Sequence, residues 1–187
     1  MWSTSDFRNG LKIEIDGDPY VITWFQAVNP GKGSAFTRTK LKNMITGAVL
    51  ERTYKSGEKV KKPDLEEHQM QYLYKDGEDF IFMDNKSYEQ STITEGVLGD
   101  DKDFLVENLD VDVLFFNGRP VGCFFPNHIV LEVARCEPGM KGDTATGATK
   151  PATMESGMVL NVPLFINEGD KLKVDTRSRE YLGRGQV

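Results

Sequence analysis

The 187-residue chain has little of what most catalytic and metal sites are built from: two cysteines, Cys123 and Cys136, and two histidines, His68 and His128. Two cysteines are too few for a disulfide framework, and a reducing compartment needs none, so both read as small core residues. Long apolar runs are missing too. No stretch approaches the roughly 18 residues of a membrane-spanning helix, and the opening MWSTSDFRNG lacks the apolar centre of a secretory leader, so a cytoplasmic location is expected. Helical periods are scarce. What is present suffices for globular cores: 39% hydrophobic residues, 28% charged residues, 18 glycines and 8 prolines describe a chain that is neither disordered nor fibrous. The length fits one or two average domains, or three small β-barrels of about 60 residues each.

Positive charge is lacking in one part of the chain only. Residues 1–62 carry 11 Lys and Arg against 6 Asp and Glu, a net +5, whereas residues 63–126 carry 4 against 15, a net −11. Residues 127–187 are balanced at 8 against 8, which returns the overall −6. A basic unit followed by a strongly acidic one reads as separate domains with different neighbours. Binding to a phosphate backbone gains Coulomb energy and releases counterions, so the first third is suited to face RNA and the middle third to avoid it.

Alternation of period two dominates. Leu11 to Ile15 alternates, Asp16-Gly17-Asp18-Pro19 turns the chain, and Tyr20 to Val28 is rich in β-branched and aromatic residues. Ala35 to Met44 resumes the pattern, Thr46-Gly47 turns it, and Val49 to Tyr54 follows, so the first unit reads as a small bent barrel ending at Lys61-Lys62-Pro63-Asp64. The second unit offers Gln69 to Tyr74, Phe80 to Met83, Val111 to Phe116, a type I′ turn at Asn117-Gly118 and Val121 to Phe125. One helix is expected over Lys102 to Asn108, capped by Asp100 or Asp101. After Pro126-Asn127, strands are expected at His128 to Arg135, Met158 to Ile166 and Lys171 to Asp175, with Cys136 to Thr153 as a loop. Strands with one short helix between them suit OB-type barrels. The expected division is 1–63, 64–126 and 127–187, an all-β chain of three small barrels.

Enzyme signatures fail in turn. A phosphate-binding loop needs G-x-x-x-x-G-K-[ST], but Lys32 is followed by Gly33 and precedes a strand. The histidines fall in different units, and no nucleophile pairs with either by spacing. Cys123, His128 and Cys136 lie in or beside apolar strands and read as packing, not as metal ligands. Asp100-Asp101-Lys102-Asp103 lacks the alternation of a calcium loop and reads as a helix start. No catalytic residue, cofactor or metal is expected.

The unusual segment is Asn29-Pro30-Gly31-Lys32-Gly33-Ser34. Gly31 and Gly33 strip bulk from both sides of Lys32, so the tip backbone can approach a partner closely while one long cation projects from it. At about 3.4 Å per residue, a nine-residue strand makes an arm roughly 30 Å long. Arg38, Lys40 and Lys42 alternate on the return strand and share one face, a basic stripe fit to track a phosphate backbone. By itself Pro-Gly-x-Gly also describes an ordinary hairpin turn with a solvated charged face.

Along nearly its whole length the chain resembles the bacterial translation elongation factor P family. The resemblance rests on Asp6-Phe7-Arg8-x-Gly10-Leu11-Lys12, on Pro30-Gly31-Lys32-Gly33-x-Ala35-Phe36 with Lys40-Leu41, and on Tyr72-Leu73-Tyr74-x-Asp76-Gly77. In the last third it rests on Pro138-Gly139-x-Lys141-Gly142-Asp143-Thr144, Lys150-Pro151-Ala152-Thr153, Val162-Pro163-Leu164-Phe165 and Asp175-Thr176-Arg177-Ser178-x-Glu180-Tyr181. The resemblance implies an SH3-like (KOW-like) domain and two OB domains in an L-shaped, tRNA-like monomer, not itself an enzyme. It also implies partners: the 70S ribosome between its P and E sites, the P-site peptidyl-tRNA, the E-site codon of the mRNA, and an enzyme that modifies Lys32. Lys32 matches the lysine that reaches the CCA end of the P-site tRNA and relieves stalling at consecutive prolines. Gly142, Asp143 and Thr144 match the loop near the E-site codon, and Tyr181 with Arg184 match residues near the tRNA body. An elongation-factor-P-like paralogue and a free-standing OB-fold RNA-binding protein are the competing readings.

Overall fold

Glycine and Asx-type turns cut the chain into short antiparallel strands. The computed structural model describes residues 1–139 and 147–185. In chain order the strands are β1 (Trp2–Ser3), β2 (Lys12–Ile15), β3 (Asp18–Val28), β4 (Phe36–Asn43), β5 (Val49–Lys55), β6 (Lys59–Val60), β7 (Leu65–Asp76), β8 (Asp79–Asp84) and β9 (Gln90–Ile93). A four-residue helix, α1 (Glu95–Leu98), precedes β10 (Asp110–Phe116), β11 (Arg119–Phe124), β12 (His128–Cys136), β13 (Thr149–Met154), β14 (Val159–Pro163), β15 (Lys171–Asp175) and β16 (Tyr181–Arg184). The sheets run β2-β3-β4-β5, β11-β10-β7-β8-β9 and β14-β13-β12-β15-β16, with β1 paired to β6. The fold is all-β, as the alternation requires. Among the described residues no helix is long and apolar enough to cross a membrane.

Each of the three larger sheets carries a register shift in its longest strand, at Thr23 in β3, Leu73 in β7 and Ala134 in β12. A bulge adds local twist and bends its strand, which curls a short sheet over its own apolar face. In the last sheet the curl brings the outer strands β14 and β16 against one another.

The described residues group into two units, 1–67 with 114–122, and 68–113 with those from 123 onward. In the first, Phe7, Leu11, Ile13, Ile22, Leu41, Tyr54 and Val60 form the core, with Phe7 edge-on to Tyr54 at 5.3 Å between ring centroids. A second cluster joins Leu114, Phe116 and Val121 to Met44, Ile45 and Leu65. The other unit buries Met70, Tyr72, Phe82 and Ile93 on the middle sheet. Its larger core gathers Ile129, Leu131, Val133, Met154, Leu160, Val162, Leu172 and Val174 around Phe104. Arg179 holds Phe104 from above: its guanidinium lies 4.7 Å from the ring centroid, 3.1 Å from an Asp103 carboxylate oxygen, and donates to the Asp100 carbonyl.

One turn recurs in all three sheets. Asn43, Asp84 and Asp175 each end a strand and each accept, through Oδ1, the N–H groups two and three residues on: Ile45 and Thr46, Lys86 and Ser87, Arg177 and Ser178, at 2.7–3.0 Å. The N–H four residues on then donates to the same residue's carbonyl, from Gly47, Tyr88 and Arg179, all at positive φ. The predicted I′ turn is present, with Asn117 and Gly118 at φ 50 and 75.

Two expectations are corrected. The helix starts after Thr94, not at Asp100 or Asp101; it stops at Gly99, whose φ is +58, and a 3-10 segment, Gly99–Phe104, follows. Buried Leu98 and Phe104 set that course, so the acidic run lies inside the tighter turn. The expected loop from Cys136 to Thr153 contains β13, hidden from a hydropathy reading by Lys150 and Pro151. Lys150 is buried, and its ammonium donates to the carbonyls of Glu137 and Ile166, both at 2.5 Å. Each buried carbonyl left unpaired would cost about 1–3 kcal/mol, so the lysine belongs in the interior.

The turns carry a pH dependence. The Ser178 and Arg177 N–H groups hold the Asp175 carboxyl below the usual range, and those of Ser87 and Lys86, with His68, do the same for Asp84. A carboxyl whose folded pKa is depressed stabilises the fold above its unfolded pKa and loses that contribution as pH falls through the folded value. Asp175→Ala should therefore be less stable than wild type at neutral pH, and the gap should close on acidification below the ordinary carboxylate pKa. Urea unfolding across that range tests this.

Candidate nucleic-acid interface

Lys32 stands where β3 and β4 meet. Residues 29–35 join the two strands, and Asn29 through Ser34 are exposed. Gly33 takes φ +105, a conformation that side chains resist, while Gly31 does not need a positive φ. Pro30 packs over Gly33, 3.9 Å from where a Cβ would sit. Among the described residues Lys32 makes no ion pair or side-chain hydrogen bond.

The return strand realises the stripe. Thr37, Thr39, Leu41 and Asn43 point inward and are buried, so Arg38, Lys40 and Lys42 share the exposed face. Past the Thr23 bulge, Trp24 stands opposite Lys40, and Lys40 stands opposite Glu51. The Lys40 ammonium lies 5.7 Å from the Trp24 ring centroid and 3.8 Å from a Glu51 carboxylate oxygen. A concavity of about 350 Å3 is lined there by Trp24, Arg38, Thr39, Lys40, Glu51, Arg52 and Thr53. Cation and aromatic face together suit a nucleic-acid strand. The exposed Trp24 was not foreseen; its signal was its place opposite a lysine of the stripe.

The other candidates lie in the second unit. Tyr181 is half-buried against the C-terminal core, and Arg184 is exposed at the end of β16. Arg184 is already engaged, 3.6 Å from an Asp170 oxygen and 5.3 Å from the Phe165 ring centroid. Phe165 is itself half-exposed, which places an aromatic ring beside the cation. Gly142, Asp143 and Thr144 lie outside the described residues. Gly139, which is described, donates to Asn167 Oδ1 at 2.6 Å, and a Cβ on it would meet Asn167 and the Phe165 carbonyl.

Burial pushes the Cys123 thiol up to about 12, with Asp101 and Asp112 adding to the shift, which leaves it protonated at neutral pH. His68 Nδ1 is 2.8 Å from Asp84 Oδ2, a pair that the sequence spacing did not reveal. His128 is exposed, a correction to the expectation of core packing, because it opens β12 where the alternation has not yet turned inward. Both cysteines are half-buried, and Cys136 packs against the C-terminal cluster from outside it. Among the described residues no three of His, Cys, Asp and Glu converge on a metal site.

The two tip glycines should separate experimentally. Gly31→Ala enters open space at ordinary φ and should change stability by less than about 0.5 kcal/mol. Gly33→Ala should cost about 1–2 kcal/mol through backbone strain. Chemical denaturation of both variants tests the assignment.

Comparison with known proteins identifies the family. The chain matches the profile of the elongation factor P KOW-like domain over residues 3–60, its OB domain over 65–123 and its C-terminal domain over 129–184. Elongation factor P of Maridesulfovibrio salexigens is 58% identical over 98% of this chain and 99% of its own. Those of Desulfitobacterium hafniense strain DCB-2 and Bdellovibrio bacteriovorus are each 54% identical over 98% of this chain, covering 100% and 98% of their own. Among solved structures, the eukaryotic translation initiation factor 5A from Methanococcus jannaschii aligns with a TM-score of 0.56 at 22% identity, covering 64% of this chain and 88% of that one. The three profiles and the full-length relatives agree, and the chain belongs to the elongation factor P family of translation factors.

Proposed function

We propose that this elongation factor binds the 70S ribosome between the P and E sites and speeds peptide-bond formation at consecutive prolines by holding the CCA end of the P-site tRNA. The observation that carries the reading is the solitary, exposed Lys32 between two glycines at the end of a hairpin, with Arg38, Lys40 and Lys42 on one face behind it. Proline is a constrained nucleophile, and a peptidyl-tRNA that drifts from attack geometry loses rate. Fixing reactants in place can contribute up to about 7–11 kcal/mol, while a tenfold gain needs only about 1.4 kcal/mol. A few ordered contacts to phosphate and ribose are enough.

On this reading the domains are residues 1–63, 64–126 and 127–187, supported by the three profile matches. Tyr181 and Arg184 face the tRNA, Gly142, Asp143 and Thr144 face the E-site codon, and the protein works in the cytoplasm without catalysing a reaction of its own. A modifying enzyme lengthens Lys32, adding reach and hydrogen-bond donors. The acidic middle of the chain is repelled by phosphate within about 8–10 Å, which leaves contact to the two ends.

Lys32→Ala should change stability by less than about 0.5 kcal/mol, because the side chain is exposed and makes no ion pair or side-chain hydrogen bond among the described residues. It should fail to relieve stalling at a Pro-Pro-Pro reporter. Lys32→Arg keeps the charge but replaces the modifiable amine with a planar fork, so it separates charge from modification. Relief by Lys32→Arg equal to wild type would show that charge suffices, and equal relief by Lys32→Ala would refute the proposal. The intact mass of the native protein reads the modification directly.

A further inference from the structure

The segment Asp6-Phe7-Arg8-x-Gly10-Leu11-Lys12 contains residues with clear work in the fold and two whose side chains have no polar partner in it. Asp6 accepts the Ser3 N–H at 2.9 Å, Phe7 and Leu11 are buried in the core, and Gly10 takes φ +88 while donating to the Ile22 carbonyl at 2.7 Å. The side chains of Arg8 and Lys12 make no ion pair or hydrogen bond among the described residues. Lys62, at the end of the first barrel, has no ion pair there either; its ammonium lies 5.0 Å from the Trp2 ring centroid. These three cations line one concavity of about 430 Å3, with Trp2, Gly10, Pro63 and Asp64 among its walls. The adjacent Lys61, by contrast, is paired with Glu14 at 2.7 Å.

Three like charges around one cleft, facing a single carboxylate, repel one another unless an anion enters. Trp2 is fixed as a wall, since its indole N–H donates to the Lys12 carbonyl at 3.2 Å. Gly10 adds no Cβ, and nothing lies within 4 Å of where one would sit, so a ligand can approach the backbone. Arg8 supplies a planar fork matched to phosphate oxygens, and the two ammonium groups supply point charges. We propose that this cleft is a second RNA-binding site of the first barrel, taking phosphodiester groups of an RNA strand on Arg8, Lys12 and Lys62. RNA is the occupant because the chain is a translation factor and the cleft's three cations belong to its one net-positive third. The inference rests on the reading of the first barrel as RNA-facing, but not on Lys32.

Trp24→Phe leaves Trp2 as the sole tryptophan and as a reporter inside the cleft. Titration with a short oligouridylate should change its emission saturably. In that background Arg8→Ala and Lys62→Ala should each weaken binding about tenfold at about 50 mM salt. Each should also flatten the slope of log affinity against log salt by about 0.7, the loss of one phosphate contact on a single strand. Circular dichroism confirms that both exposed-site variants fold. The proposal is overturned if the oligonucleotide does not bind, if it binds without affecting Trp2, or if neither variant changes affinity and slope. It is also overturned if polyglutamate of equal charge competes as well as RNA, which would indicate an acidic protein partner. Saturation by inorganic phosphate alone at equal charge would indicate a free-anion site and overturns it too. Relief of proline stalling separates the two proposals. Lys32→Ala that still relieves stalling, beside an Arg8→Ala that loses RNA, refutes the tip alone; the reverse pattern refutes the cleft alone.

Discussion

A single Asx-type turn, repeated at Asn43, Asp84 and Asp175, fixes the register on which each sheet depends. Strand side chains alternate with a period of two, so slipping a hairpin by one residue moves its apolar set to the solvent face. At Asn43 the side chain ties down two N–H groups of the loop, and its amide also donates to Asp18 at 3.0 Å, which joins the turn to the start of β3. That anchor sets Leu41 against Leu50 in the core and Lys40 against Glu51 outside. The basic stripe is therefore a consequence of where the turn is pinned. The same constraint at Asp175 places Arg179 at positive φ, where a glycine would be less strained. The strained position is retained with a guanidinium that clasps Phe104, Asp103 and the Asp100 carbonyl.

Much of this architecture was legible because alternation is a local signal. The strands from Leu11 to Tyr54, the Asn117-Gly118 turn and the exposed face of β4 follow from residue type and period alone. The parts that were not legible depend on tertiary partners. Lys150 looks polar and loop-like until its ammonium is seen to close on two carbonyls brought from residues 137 and 166. The helix was misplaced because acidic residues cap helices well, yet here buried Leu98 and Phe104 decided which residues could turn inward. The repeated turn itself had a sequence trace, Asn or Asp followed three residues later by Ser or Thr at Thr46, Ser87 and Ser178. The residues between share no type, so the trace is weak in the sequence.

The site was legible in a different way. Lys32 between glycines is legible because a lone long cation on a stripped tip has no folding purpose. Trp24, Phe165 and the cleft at Arg8, Lys12 and Lys62 are not, because each depends on residues far apart in sequence becoming neighbours. Lys62 lies 50 positions beyond Lys12, and only the closing of the first barrel brings both to one concavity. Charge counted by thirds anticipated the sign of that surface but not its focus.

The isolation of Lys32 has a consequence for how the tip can change over time. Interaction energies between distant residues with no shared partners are small, so altering one does not oblige the other to adjust. An exposed side chain with no ion pair or side-chain hydrogen bond among the described residues is energetically decoupled from the core that carries it. The chemistry at the end of the hairpin can thus be exchanged, lengthened or decorated while the barrel beneath keeps the same sequence and the same stability.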